Sequence, residues 1–236
     1  MTKKTIQLGN GEILTYQLER RARRTVGLKI TDDGLVVHAP KYLLEFQLKN
    51  LILKKSDWIS NKLATRKLNQ KPPITWQDGE TIPLLGLDMT LYIVSDSKKQ
   101  PPQFNHDSLT IVLPQPEDEE VVKKTVIQWY KKQALTDFGR RIALFAAKLG
   151  VTTPPFKLSN ARSRWGSCTS QGDIRLNWRL IQAPPSIINY VVCHELAHLK
   201  EMNHSAQYWA IVEGIYPHYK AAEKELKQLS AVLHRM

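Results

Sequence analysis

The chain has only two cysteines, Cys168 and Cys193, among 236 residues. Two thiols cannot build a disulfide framework, and a reducing, cytoplasmic setting is the simplest expectation. No apolar run approaches the roughly 20 residues that a membrane-spanning helix needs, so no membrane segment is expected. The opening residues, Met1-Thr2-Lys3-Lys4, lead into no apolar stretch with a small-residue cleavage site, and no secretion signal is visible. Gly (11) and Pro (13) stay near background, which excludes a collagen-like repeat. With 42% hydrophobic and 24% charged residues the composition is globular rather than disordered. No internal repeat is evident.

What is abundant is positive charge, a formal +12. Residues 1–120 carry 17 Lys and Arg against 15 Asp and Glu, whereas residues 121–236 carry 17 against 7. Such a field attracts anions, whether a nucleotide, an acidic polypeptide or nucleic acid, without choosing among them.

Hydrophobic patterning divides the chain. Thr5–Leu8 and Ile13–Leu18 flank Gly9-Asn10-Gly11, and Val26–Ile30 and Leu35–Ala39 flank Asp32-Asp33-Gly34, which predicts two hairpins. From Leu43 to about Lys67, the positions Leu44, Leu48, Leu51, Ile52, Trp58, Ile59 and Leu63 recur at helical spacing, predicting one long helix that Lys71-Pro72-Pro73 ends. Strand-like segments follow at 81–84, 89–94 and 109–113. Pro114-Gln115-Pro116 before Glu117-Asp118-Glu119-Glu120 suits the start of a helix running to Leu149, with Gly150 as its stop. Its expected buried stripe includes Val122, Val126, Trp129, Leu135, Phe138, Ile142 and Phe145. Beyond an Arg-rich loop, a strand is expected from about Asp173 to Leu180, then helices over about 184–202, 205–214 and 217–233. The expected class is α+β: a β-rich region with a helix over 1–116 and a mainly helical region with a small sheet over 117–236.

The chemistry concentrates at His194-Glu195-Leu196-Ala197-His198. Helical residues four apart lie on one face, so the two imidazoles can close on one ion, and that donor type suits Zn²⁺ or another divalent cation. Glu195, next to the first ligand, can take a proton from a water at that ion. A catalytic zinc keeps three protein ligands and one open position. Two residues compete for the third place, His204 and Glu201. Six helical residues would turn His204 away, so the helix must end first; Asn203 tolerates a left-handed reversal and Ser205 can cap the next helix. Glu201 lies on the same face and also suits a role orienting a ligating histidine. Cys168 and Cys193 read as small buried residues.

These residues, taken with Asn160-Ala161-Arg162-Ser163-Arg164-Trp165-Gly166-Ser167-Cys168, Ile174 to Leu180 and Asn203-His204-Ser205 with Trp209, resemble the YgjP-like metal-dependent hydrolase family over nearly the whole chain. The resemblance implies a zincin-type peptidase fold related to SprT and WLM proteins, with His194, His198 and His204 as metal ligands and Glu195 as general base. It also implies that the 173–180 strand is the edge strand beside the active-site helix. Glu201 stands where metzincins carry Gly, so their substrate rules do not transfer.

Three activities fit. A metallopeptidase needs an edge strand for an extended substrate and an oxyanion donor, for which Tyr208, Tyr216 and His218 are candidates. A nucleoside triphosphate pyrophosphohydrolase, for example UTP to UMP and pyrophosphate, has been associated with the family and needs converging cations. Arg162, Arg164, Trp165, Arg175, Asn177 and Arg179 are its candidate substrate-binding residues, with Arg175, Asn177 and Arg179 expected on one strand face. A non-catalytic nucleic-acid-binding module is the third; the N-terminal arginines, Arg20, Arg21, Arg23 and Arg24, would serve it, though no nucleic-acid-binding motif accompanies them.

Overall fold

The computed structural model describes residues 2–9, 11–31, 33–68 and 74–236, the side chains of 65–68 excepted. Asn10 and Asp32 of the expected turns, and the expected break at Lys71-Pro72-Pro73, lie outside these residues. The class is α+β, in two compact units, Met1–Lys71 and Pro72–Met236. The division therefore falls well before the boundary expected at 116/117. Pro114 and Pro116 mark the approach to a helix rather than a domain break, because the strands before them share one core with that helix.

The first unit is a four-stranded sheet with two helices: β1 (Thr2–Gln7), β2 (Ile13–Arg21), β3 (Gly27–Thr31) and β4 (Gly34–Pro40), in the order β1-β2-β4-β3. Both expected hairpins form, β1 with β2 and β3 with β4, and β2 runs parallel to β4 between them. The alternation of Leu14, Tyr16 and Leu18 puts them on the buried face of β2, as a period of two requires. The expected long helix is two, α1 (Glu45–Leu53) and α2 (Ser56–Leu68). Between them the hydrogen-bond ladder slips, with Lys55 N–H donating to the Ile52 carbonyl three residues back at 3.0 Å. Leu48, Ile52 and Ile59 are buried, while Leu44, Leu51 and Trp58 face solvent.

The second unit opens with β5 (Thr81–Leu84), β6 (Leu87–Ser95), β7 (Gln100–Asn105) and β8 (Ser108–Leu113), ordered β5-β6-β8-β7. The pairing is again antiparallel, parallel, antiparallel, so the two four-stranded sheets share one topology without an evident sequence repeat. β7 was not expected; it is an edge strand with Pro101-Pro102, a register shift and little burial, and it carries no alternation to read.

α3 (Glu119–Leu149) runs as expected. The Asp118 carboxylate accepts from the Glu120 and Val121 N–H groups at 3.0 and 3.2 Å, and Gly150 closes the helix in the left-handed conformation. Its stripe is as expected except at Leu135, which is 52% exposed; Ala134 is the buried neighbour.

A three-stranded sheet follows, β9 (Phe156–Ser159), β10 (Gly166–Cys168) and β11 (Ile174–Asn177), ordered β10-β11-β9. Two expectations are corrected here. The strand expected to reach Leu180 ends at Asn177, whose side chain caps a 3₁₀ turn over Trp178–Gln182. It is also the central strand; the edge strand that packs against the next helix is β10.

That helix, α4 (Pro185–Ala197), is apolar on nearly every side and buried, as Ile187, Ile188, Val191, Val192 and Leu196 show. The turn between β5 and β6 fixes its start. Leu85 and Gly86 donate to the Ile181 and Gln182 carbonyls at 2.8 and 3.0 Å, and a Cβ on Gly86 would stand 2.9 Å from Pro184. α5 (Ala206–Ile215) and α6 (Tyr219–Leu233) complete the unit. Among the described residues no helix is long and apolar enough to cross a membrane.

Candidate metal centre and active site

α4 sets two imidazoles on one face, His194 and His198, with ring centres 5.3 Å apart. The helix ends at Ala197, earlier than the expected Met202. Leu199 and Lys200 N–H groups close three-residue bonds to Leu196 and Ala197, both at 3.0 Å. This tightened turn reverses the chain; Asn203 has no positive φ, so the left-handed reversal expected there does not occur. The Ser205 hydroxyl then accepts from the Tyr208 N–H at 3.2 Å and starts α5, as expected. The result returns His204 to the other two, with ring centres 5.1 Å from His194 and 4.9 Å from His198.

The donor atoms of the three imidazoles lie within 4.8 Å of one another. Nε2 of His204 and Nε2 of His194 face each other at 3.3 Å. Two nitrogens each about 2.05 Å from a tetrahedral ion stand about 3.3 Å apart, so this pair already has the separation such an ion imposes. Nδ1 of His198 lies 3.1 Å from the Glu201 carbonyl, which can only accept, so the proton sits on Nδ1 and Nε2 keeps its lone pair. Burial, with His198 and His204 nearby, pushes His194 down to about 4, and burial also lowers His198. Unprotonated nitrogens in this arrangement fit a divalent cation. Glu201 takes part through its backbone carbonyl, and its carboxylate is absent from the cluster.

Aromatic side chains wall the cluster. Tyr208, fully buried, donates its hydroxyl to the His194 carbonyl at 2.9 Å and lays its ring against His198 at 4.6 Å. Its hydroxyl is thereby committed, which removes it as an oxyanion donor. Tyr216 packs edge-on to Phe145 at 6.4 Å and His218 is exposed at the start of α6; neither ring contacts the three histidines. Tyr190 meets His194 edge-on at 5.8 Å, and Trp209, stacked on Tyr219, lies 5.9 Å from His204. The i, i+4 spacings of Tyr190 to His194 and His204 to Tyr208 were readable signals for this wall.

Glu195 is 5% exposed, and burial pushes its carboxyl up to about 8, with the Arg164 guanidinium pulling the other way. It presses against Gly166 of β10: a Cβ there would fall 2.6 Å from Glu195 Cγ and 2.7 Å from Cδ. Gly166 is thus a site residue that the spacing argument missed, because its role is an absent side chain facing a residue on another element.

The six candidate substrate residues separate. Asn177 is buried and structural, its Nδ2 donating to the Ala161 and Arg164 carbonyls at 2.7 and 3.5 Å. Arg179 is held by Asn160 Oδ1 and the Met236 carbonyl, both at 2.6 Å, and lies over the Trp178 ring. Arg175 occupies the solvent face of β11, opposite Ile174 and Leu176. The expected single face of Arg175, Asn177 and Arg179 does not form, because the strand stops at Asn177. Trp165 stacks on His234 at 4.4 Å. Arg162 and Arg164 remain exposed, and Arg164 alone among the four arginines acts on Glu195. Burial raises Cys168 to about 11 and Cys193 to about 12, so both stay thiols at neutral pH, unpaired and outside the histidine cluster.

No curated protein matches the chain. Two solved structures are similar to part of it. The metallopeptidase zymogen abylysin of Pyrococcus abyssi is 22% identical, with 39% of this chain and 94% of that one covered and a TM-score of 0.36. The metallopeptidase zymogen jannalysin of Methanocaldococcus jannaschii is 17% identical, with 40% and 96% covered and a TM-score of 0.35. The family described as YgjP-like, metallopeptidase domain, matches residues 24–229, a span that takes in the arginine-rich loop, the edge strand and all three histidines. By that match the chain belongs to the YgjP-like family.

Proposed function

We propose that this metal-dependent hydrolase is a zinc peptidase in which His194, His198 and His204 hold the ion and Glu195 is the general base. The observation that carries the reading is the 3.3 Å approach of two imidazole nitrogens beside a buried carboxyl group. A bound Zn²⁺ would supply Lewis-acid polarisation of water and of a substrate carbonyl. Around it, the chain's own residues do the rest. Glu195, raised by burial towards neutrality, is suited to accept a proton and return it to a leaving amine. The Glu201 carbonyl orients the His198 imidazole, while Tyr208 ties down the His194 backbone carbonyl and packs its ring against both imidazoles. Gly166 lets β10 run close to Glu195, and the outer edge of β10 has no strand partner among the described residues, so an extended polypeptide can pair there. Arg164 supplies a cation at the rim for an anionic group of the substrate.

A polypeptide is favoured over a nucleoside triphosphate because the cations a triphosphate needs do not converge: Arg179 is occupied internally and Arg175 faces away from the core. The two unpaired thiols suit a reducing, cytoplasmic compartment.

The test is a paired assay of Zn²⁺-loaded protein on casein and on UTP. Casein cleavage, lowered at least 10²-fold in Glu195→Gln, is expected. Pyrophosphate release from UTP that disappears in the same variant, with casein left intact, would overturn the peptidase reading.

A further inference from the structure

The division at Lys71 relocates the positive charge. Residues 1–71 carry 15 Lys and Arg against 6 Asp and Glu, a net +9, whereas residues 72–236 carry 19 against 16, a net +3. Most of the excess thus belongs to the first unit, outside the catalytic machinery.

Within that unit the sheet brings two basic segments together. β2 ends at Arg21 in register with Pro40, the last residue of β4, so the segment 21–26 and the turn 41–44 leave the sheet side by side. Arg20 locks them, donating from Nη1 to the Pro40, Lys41 and Leu43 carbonyls at 3.0, 3.3 and 2.7 Å. Arg20 is therefore structural, and Arg21 is partly neutralised by Glu19 at 2.8 Å. Arg24 and Lys41 are exposed, and neither side chain has an ion-pair partner among the described residues. Tyr42, next to Lys41 in the chain, is 72% exposed and donates its hydroxyl to the Arg24 carbonyl at 3.5 Å.

The net charge of +9 on this unit favours a polyanion as partner, and the exposed Tyr42 ring adds an aromatic face to it. An exposed ring near two exposed cations that have no ion-pair partner among the described residues suits a base stacked on the ring with its phosphates on the cations. We infer that the end of the first sheet formed by Arg24, Lys41 and Tyr42 binds single-stranded nucleic acid, in a manner independent of the hydrolytic site.

The experiment is fluorescence anisotropy of the full chain with a fluorescein-labelled single-stranded oligo-dT, a duplex of equal length and phosphatidylserine vesicles as competitor, over a salt series. Wild type is expected to bind the single strand in preference to the duplex. Arg24→Glu with Lys41→Glu should weaken binding at least tenfold and reduce the slope of log K against log salt by about 1.4. Tyr42→Ala should weaken binding about tenfold without changing that slope, and Tyr42→Phe should restore it, since the ring remains. Unchanged melting temperature and casein cleavage in the charge-reversed variant keep the result separate from folding and catalysis. Absence of oligonucleotide binding overturns the inference. So does equal affinity of wild type, the charge-reversed variant and Tyr42→Ala. Vesicle binding that Tyr42→Ala abolishes, with oligonucleotide binding untouched, assigns the surface to membranes instead.

Discussion

Of the glycines, Gly166 lies under the closest contact, with the Glu195 carboxyl group seated where a Cβ would be. Gly166→Ala must push either Glu195 or β10 aside, and a loss of at least 10²-fold in kcat/KM is expected with metal binding retained, read by casein kinetics beside zinc titration. The buried carboxyl also sets the pH dependence of the metal-free protein. Its folded value of about 8 lies above the ordinary 4.5, so its contribution to stability is complete below about 4.5 and is lost as pH rises through 8. His194 acts oppositely: lowered from 6.5 to about 4, its contribution is complete above 6.5 and is lost as pH falls towards 4. In EDTA the melting temperature should therefore fall between about pH 6.5 and 8, and Glu195→Gln should flatten that limb; equal slopes in the two proteins would refute the assignment. At this scale the sequence was most legible where local geometry decides, as with His194 and His198 four residues apart. It was least legible for Gly166, Tyr208 and the Glu201 carbonyl, whose parts depend on neighbours that no spacing reveals.

α4 carries two histidines and must be held against its surroundings. Arg141 of α3 donates to both oxygens of Asp137, at 2.6 and 3.1 Å, and to Asn189 Oδ1 of α4 at 2.5 Å. The Asp137–Arg141 pair is readable as an i, i+4 contact, but its tie to Asn189, 48 residues on, is not. Arg141→Ala leaves the nearly buried Asp137 carboxylate without its main partner and should cost about 2 kcal/mol, measurable by urea denaturation. The Ser205 cap acts more locally. Ser205→Ala should cost about 1 kcal/mol and, by loosening the turn that presents His204, weaken zinc affinity more than overall stability. The elements that escaped sequence reading share a cause. β7 is exposed along almost its whole length and the Trp178–Gln182 turn is buried nearly all round, so no period of two or 3.6 separates strand from turn.

For the whole chain, proline-rich punctuation misled because Pro114 and Pro116 precede a helix inside a unit, whereas the division near Lys71 leaves little mark beyond Pro72-Pro73. A latch ties the end of the second unit to its arginine-rich stretch. Arg179 grips the Met236 carbonyl, Gln182 Nε2 donates to the Leu233 carbonyl at 3.1 Å, and His234 lies flat on Trp165. Residues 233–236 thus brace the stretch that carries Arg162 and Arg164, so the cation facing Glu195 is set in place by a segment about seventy residues further along the chain, and loosening either end of that latch unseats it.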